Sequence, residues 1–244
     1  MTLVYGRDSI HFLNESNPQM PLAFEFINHS FVLLSEGVTP SHLSTDERFL
    51  QRLVKREWNW QLAQPTIVTP VISQIPFTNG VVMLVTPGRF HVTDGGDPNP
   101  GTSKAKEVIV NFIKLNGSIQ WAAIGINFSA VVPYPDPQAL ITRTCLNDSF
   151  GNVLQGEALQ SLVFAKDVNN ARRTITIHAG EQFTGGTPQA PVSRPVVIVD
   201  ANYHFDISGG NDNTVRLQVR KAPQLHSDLS ELLSTISAKL DEHA

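Results

Sequence analysis

Between Gly96 and Gly101 the chain reads Gly-Asp-Pro-Asn-Pro-Gly, the glycine spacing of a phosphate-binding loop set between a strand and a helix. Such a loop continues with Lys, which neutralises the terminal phosphates, and then Ser or Thr, which holds magnesium. Here the next residues are Thr102 and Ser103, with a lysine only at Lys104, and Pro98 and Pro100 remove backbone donors from the cradle. A surface connection is the better reading. The acidic turns Asp94, Asp97, Asn99 and Asp206, Asn211, Asp212, Asn213 offer oxygens to calcium. Neither has the EF-hand pattern closed by Glu, and Asp, Asn and Gly are what turns are made of.

Cys145 is the single cysteine, so neither a disulfide framework nor a cysteine-based zinc site is expected. As a nucleophile it would need a base such as His178 or His204 and an orienting carboxylate such as Asp200. No known cysteine-enzyme motif surrounds it, and a lone cysteine near a short helix reads as a small buried hydrophobe. The eight histidines are scattered, with His29, His91, His178 and His204 in strand-like segments and no His-x-His, HExxH or GxSxG spacing. No catalytic residue, metal or other cofactor is therefore expected.

Basic residues group at Arg48, Arg52, Lys55 and Arg56, at Arg172 and Arg173, and at Arg216, Arg220 and Lys221. Brought together by the fold, they would track phosphates. Against that stand a net charge of −4 over 244 residues and the charged outer face that any surface helix carries. Nucleic acid is not expected as a partner. Charged residues are only 16% of the chain and hydrophobic ones 41%, with Gly and Pro at 16 each, which excludes disorder and a polyanion or membrane footprint. No basic and apolar leader opens the sequence, and Ile119–Val132 is too short and interrupted for a membrane span, so the expectation is a cytoplasmic protein with no membrane partner.

The elements that must position these residues are mostly strands. Ser9–Leu13 alternates, Leu22–Leu34 is rich in aromatic and aliphatic residues, and residues 66–93 read as a meander punctuated by Asn79-Gly80 and Pro87-Gly88. Ile119–Val132 is a long strand with small residues. Leu159–Lys166 and Arg173–Ala179 flank a hairpin turn at 167–170, and Val196–Ile207 and Val215–Arg220 complete the set, with Gly180–Arg194 as a loop. Helices are expected at Ser44–Arg56, opened by a capping box of Ser44 and Glu47, and at Gln138–Leu146. Ser103–Leu115 fits a helix, whose apolar arc is Ala105, Val108, Ile109, Phe112 and Ile113, better than a strand. A terminal helix opens at Ser227 with the stripe Leu229, Leu232, Leu233, Ile236 and Leu240.

Strands in runs rather than in alternation with helices predict a single α+β domain over 1–244. A curved antiparallel sheet of meanders and hairpins packs on the C-terminal helix, with two or three further helices. The order resembles a sporadically distributed bacterial protein family of uncharacterised function. The likeness lies in Pro21-Leu22-Ala23-Phe24-Glu25-Phe26, the Ile119–Val132 strand, Ile198-Val199-Asp200-Ala201-Asn202 and the closing leucine-rich helix. That resemblance implies the α+β fold and carries over no chemistry.

Two functional readings follow. The first is a non-enzymatic interaction or regulatory protein that acts through a sheet surface or the terminal helix and self-associates as a homo-oligomer or joins another protein. The second is a small-molecule or enzymatic pocket between the curved sheet and the terminal helix, with Trp121, Asp200, Tyr203 and His204 as its residues. A polar cavity with converging titratable groups favours the second, and a filled core with an exposed apolar patch the first.

Overall fold

The computed structural model describes residues 21–145, 159–187 and 190–242; the strand expected at Ser9–Leu13 lies outside the described residues. Nine strands run β1 (Glu25–Leu34), β2 (Ile67–Val68), β3 (Ser73–Pro76), β4 (Val81–Thr86), β5 (Arg89–Asp94), β6 (Trp121–Pro133), β7 (Ser161–Val168), β8 (Ala171–Thr187) and β9 (Ala190–Gly210). They form one open sheet in the order β2-β3-β4-β5-β1-β6-β9-β8-β7, and every pairing among the described residues is antiparallel. The helices are α1 (Glu47–Leu53), α2 (Ala105–Leu115), α3 (Pro137–Cys145), α4 (Asp212–Val219) and α5 (Ala222–Asp241). No helix among the described residues is long and apolar enough to cross a membrane. This is the α+β architecture that the strand runs imply.

Alternation along each strand divides the sheet into two faces. On one, Phe31, Leu33, Phe90, Ile124, Ile126, Phe128, Tyr203 and Phe205 are buried beneath the helices. Phe112 of α2 stacks on Phe90 with ring centroids 3.6 Å apart, and Trp121 meets Phe112 at 6.3 Å. From α5, His226 lies 4.1 Å from Phe26 and 5.6 Å from Phe128, ring to ring. Each such aromatic contributes about 1.5–3 kcal/mol through burial.

Four local expectations change. Helix α1 begins only at Glu47, because Asp46 supplies the cap, its carboxylate accepting from the Phe49 amide at 3.1 Å, while the Ser44 hydroxyl accepts from the Asp46 amide at 3.0 Å. The loop expected at Gly180–Arg194 is largely a continuation of the β8–β9 ribbon. Gln182 pairs with Arg194, whose guanidinium donates twice to the Gln182 amide oxygen at 2.9 and 2.7 Å, and Ser193 donates to Glu181 at 2.8 Å. These cross-strand contacts hold the register that the glycines and prolines would otherwise loosen.

The strand expected at Val215–Arg220 is helix α4. Asn211 accepts from the amides of Asn213 and Thr214 at 3.0 and 3.2 Å, and Val215 and Val219, four apart, are buried on one face. A strand would have no partner there, because β9 already lies between β6 and β8 with neither of its edges open. Helix α5 opens at Ala222 rather than Ser227, with Pro223 in its first turn, where a missing amide hydrogen costs nothing.

The apolar stripe of α5 serves its own chain. Leu225, Leu229, Leu233 and Leu240 are buried, and Leu232 and Ile236 pack partly buried against the same core. Leu229→Ala should cost about 2–5 kcal/mol in urea unfolding, whereas Leu232→Ala should cost clearly less. A loss at Leu229 below about 1 kcal/mol would place the stripe outside the core.

Candidate functional site

On the face turned away from the helices, the central strands present polar residues at every second position. Register pairing sets Thr93, Ser30, Asn127, Asn202 and Thr174 in one row across β5, β1, β6, β9 and β8. A second row is Asn28, Ser129, Asp200 and Thr176, and a third is His91, Val32, Gly125, His204 and Arg172. The first two rows, with Arg89 and His91, line a depression of about 420 Å³ in which every lining residue belongs to a strand. Within it Ser30 is buried, at 5% exposed, while Asn127 and Ser129 are half-buried and Asn202 is exposed.

The side chains are tied to one another. Asn202 donates to the Asn127 amide oxygen, and Asn127 donates to the Ser30 hydroxyl at 3.0 Å. Ser129 donates to one oxygen of Asp200 at 2.6 Å, and His178 Nε2 donates to the other at 3.0 Å. His91 Nε2 lies 3.0 Å from the Thr93 hydroxyl. Burial and then the neighbouring Arg89 guanidinium push His91 down from 6.5 to about 4. Its imidazole is therefore neutral near pH 7 and works as a hydrogen-bonding group rather than a cation.

This is a surface for recognition more than for bond making. A serine nucleophile needs an imidazole against its hydroxyl and a carboxylate behind the imidazole. Ser129, Asp200 and His178 are in line, but the carboxylate stands in the middle, so His178 is not in contact with the hydroxyl.

The four residues expected to share a pocket fall on opposite faces. Trp121 and Tyr203 are 1% and 0% exposed beneath the helices, and the Tyr203 hydroxyl points at the Leu225 carbonyl 3.5 Å away. Asp200 and His204 lie on the helix-free face, with Asp200 in the depression and His204 one row beyond Asn202. Cys145 closes α3. His91 is among the histidines that the sequence places in strands, whereas Arg89, Thr93, Asn127 and Asn202 are not marked as site residues there, although polar residues two apart on β6 and on β9 are the signal of a shared polar face.

The glycine-spaced loop consumes its own amides. Asp94 accepts from the amides of Gly96 and Asp97 at 3.0 and 2.8 Å, Asp97 from Asn99 at 3.1 Å, and Asn99 from Gly101 at 2.8 Å. The donors a phosphate would require are taken. Asp94 also receives the Ser103 hydroxyl at 2.6 Å, which in turn accepts from the Ala105 amide at 3.0 Å and starts α2. Among the described residues no group of three or more His, Cys, Asp or Glu is placed to hold a metal ion. His29, fully buried under the helices beside Asp94 and Asp97, has no hydrogen-bond partner for either ring nitrogen, and burial lowers its pKa. No protein-family model matches the chain, and no curated protein does either.

The His91 geometry has a measurable signature. Its folded pKa lies below the unfolded value, so the unfolded chain takes up the proton first and stability declines as pH falls from 6.5 toward 4. His29 and His226, both lowered mainly by burial, act in the same direction. His91→Gln should reduce this decline in urea midpoints without abolishing it, and the His91 ring should titrate near pH 4 by NMR. Titration near 6.5 would remove the sheltered, neutral imidazole.

Proposed function

We propose that the protein is a non-enzymatic binding protein that acts through the helix-free face of its sheet. The observation that supports this most strongly is the row of amides and hydroxyls across β5, β1, β6, β9 and β8, already linked from Asn202 through Asn127 to Ser30. Charge is sparse there, with Arg89 and Asp200 at the margins of a mainly neutral lining. Such a surface matches a neutral ligand rich in hydroxyl or amide groups, whose hydrogen bonds replace those to water. A sugar, a nucleoside or a polar peptide segment has that chemistry. A groove of about 340 Å³ does lie between the start of β1 and the terminal helix, lined by Leu22, Phe24, Phe26, Leu233 and Ser237, but none of Trp121, Asp200, Tyr203 and His204 lines it.

Gly125 lies at the centre of this face. A Cβ there would meet Asn202 Nδ2 at 3.5 Å and Val32 Cβ at 3.6 Å, ordinary contact distances, so a larger side chain projects over the asparagine pair without disturbing the backbone. In saturation-transfer NMR with a panel of neutral sugars and nucleosides, the wild type should bind a member of the panel. Gly125→Phe should abolish that binding and Asn127→Ala should weaken it about tenfold. Absence of any binder, or binding unchanged in both variants, would sink the proposal.

Self-association, the other part of this reading, is supported by a different observation. Among the described residues strand β7 ends the sheet and pairs only with β8, and it is exposed over most of its eight residues, with Val163 at 62% and Phe164 at 54%. The opposite edge is guarded: β2 has only two residues and Pro65 and Pro70 flank it. No proline interrupts β7. An antiparallel second copy centred on Phe164 and Ala165 sets Val163 against Lys166 and Leu162 against Asp167, with no like charges opposed. Light scattering should give a dimer that Phe164→Lys converts to a folded monomer. A wild-type monomer at all concentrations would rule the edge out.

A further inference from the structure

The helical layer carries a second feature, independent of the sheet face. Helices α2 and α4 and the segment that follows α1 border a groove of about 330 Å³ lined by Lys55, Lys106, Lys114, Arg216 and Arg220, with Glu107 as its only carboxylate. In a chain of net charge −4 this is a sharp local reversal of sign. The arrangement is self-repelling. Lys106, Val110 and Lys114 follow one another at four-residue spacing along α2, facing Arg216 and Arg220, themselves four apart on α4. Arg216 and Arg220 are like charges at the four-residue spacing that destabilises a helix, and Lys106 and Lys114, two turns apart with Val110 between them, add positive charge from across the groove.

The groove's own carboxylate does not relieve this. Glu107 is already paired with Lys55 at 3.4 Å and Lys104 at 3.2 Å, and these two lysines lower its pKa against the opposing effect of burial. Arg216 has only Asp212, at 3.9 Å, and its Nε is buried without a hydrogen-bond partner. Lys114 and Arg220 form no ion pair with any described carboxylate. Lys106 donates to the Gly101 carbonyl at 3.0 Å, which anchors its ammonium at one end of the groove. The wall is held in place by Asn111, which donates to the Leu53 carbonyl at 3.0 Å and so joins α2 to α1.

We infer that this groove is a binding site for a phosphorylated small molecule. Its cations reach one volume from α2 (Lys106 and Lys114), from α4 and its C-cap (Arg216 and Arg220) and from Lys55, two residues past the end of α1; that volume holds one or two phosphoryl groups, and the planar guanidinium fork of Arg216 suits a tetrahedral oxyanion. Phosphate oxygens would supply the acceptors that the groove lacks and cancel the repulsion between α2 and α4. The glycine-spaced loop before α2 contributes nothing to this site, because its amides are engaged elsewhere.

The test uses pyrophosphate and ADP as probes and a short single-stranded oligonucleotide as a control, in calorimetry and thermal unfolding. Pyrophosphate or ADP should raise the melting temperature of the wild type, with an affinity that falls as salt is added. Arg216→Gln combined with Arg220→Gln should weaken binding about tenfold or more, and Lys114→Gln by a smaller factor. Lys239→Gln, in the last turn of α5 and outside the groove, should leave binding unchanged. Without ligand, Lys114→Gln should melt at or above the wild-type temperature, because it relieves repulsion; this signature also separates lost binding from lost folding. The inference is overturned if neither probe binds, or if binding is equal in wild type, Lys114→Gln and the arginine double variant. It is also overturned if the oligonucleotide binds while pyrophosphate and ADP do not, which would make the groove part of a nucleic-acid surface.

Discussion

Strands β6 and β9 lie at the middle of the sheet, paired from Trp121 to Pro133 against Gly210 back to Val196, and only one of their two faces can be covered by helices. This two-sidedness governs the rest. The face bearing Ile124, Ile126, Phe128, Tyr203 and Phe205 requires an apolar roof, which α2, α4 and α5 provide. The other face must remain compatible with water, and the residues that achieve this are uncharged amides and hydroxyls instead of lysine and glutamate. Low overall charge is thus a property of the sheet's open face, while the cations gather on the outer side of the roof.

Much of this order is legible in residue spacing. The apolar arc of Ala105, Val108, Ile109, Phe112 and Ile113 identifies α2, and all five are buried as the helical period requires. Parity also separates Tyr203 from Asp200 and His204, since odd and even positions of one strand face opposite ways. What spacing does not carry is which strands are neighbours. The depression exists because β5 and β1 sit beside β6, an order that sets His91 and Thr93 near Asn127 and Asn202 although they are far apart in the chain.

The misreadings share a cause. Val215–Arg220 alternates well enough for a strand, and its state is decided by the Asn211 cap and by the preceding strand β9 being paired on both sides. The Gly180–Arg194 stretch has the composition of a loop, yet its halves lie side by side and pair because β8 and β9 already run antiparallel below them. In both places tertiary context outweighs local preference. The basic groove was the hardest to see: Lys106 and Lys114 belong to a different helix from Arg216 and Arg220, and only the packing of α2 on α4 joins them.

Thr93 and Asp94 are consecutive residues with opposite duties. Thr93 holds His91 on the open face, while Asp94, buried on the other, clasps Ser103 at the root of α2. A single peptide bond therefore separates the lining of the depression from the anchor of the helix that carries Lys106 and Lys114. Strand β5 acts as a lever through the sheet, with the means to convey a shift on one side to the other without any change of fold.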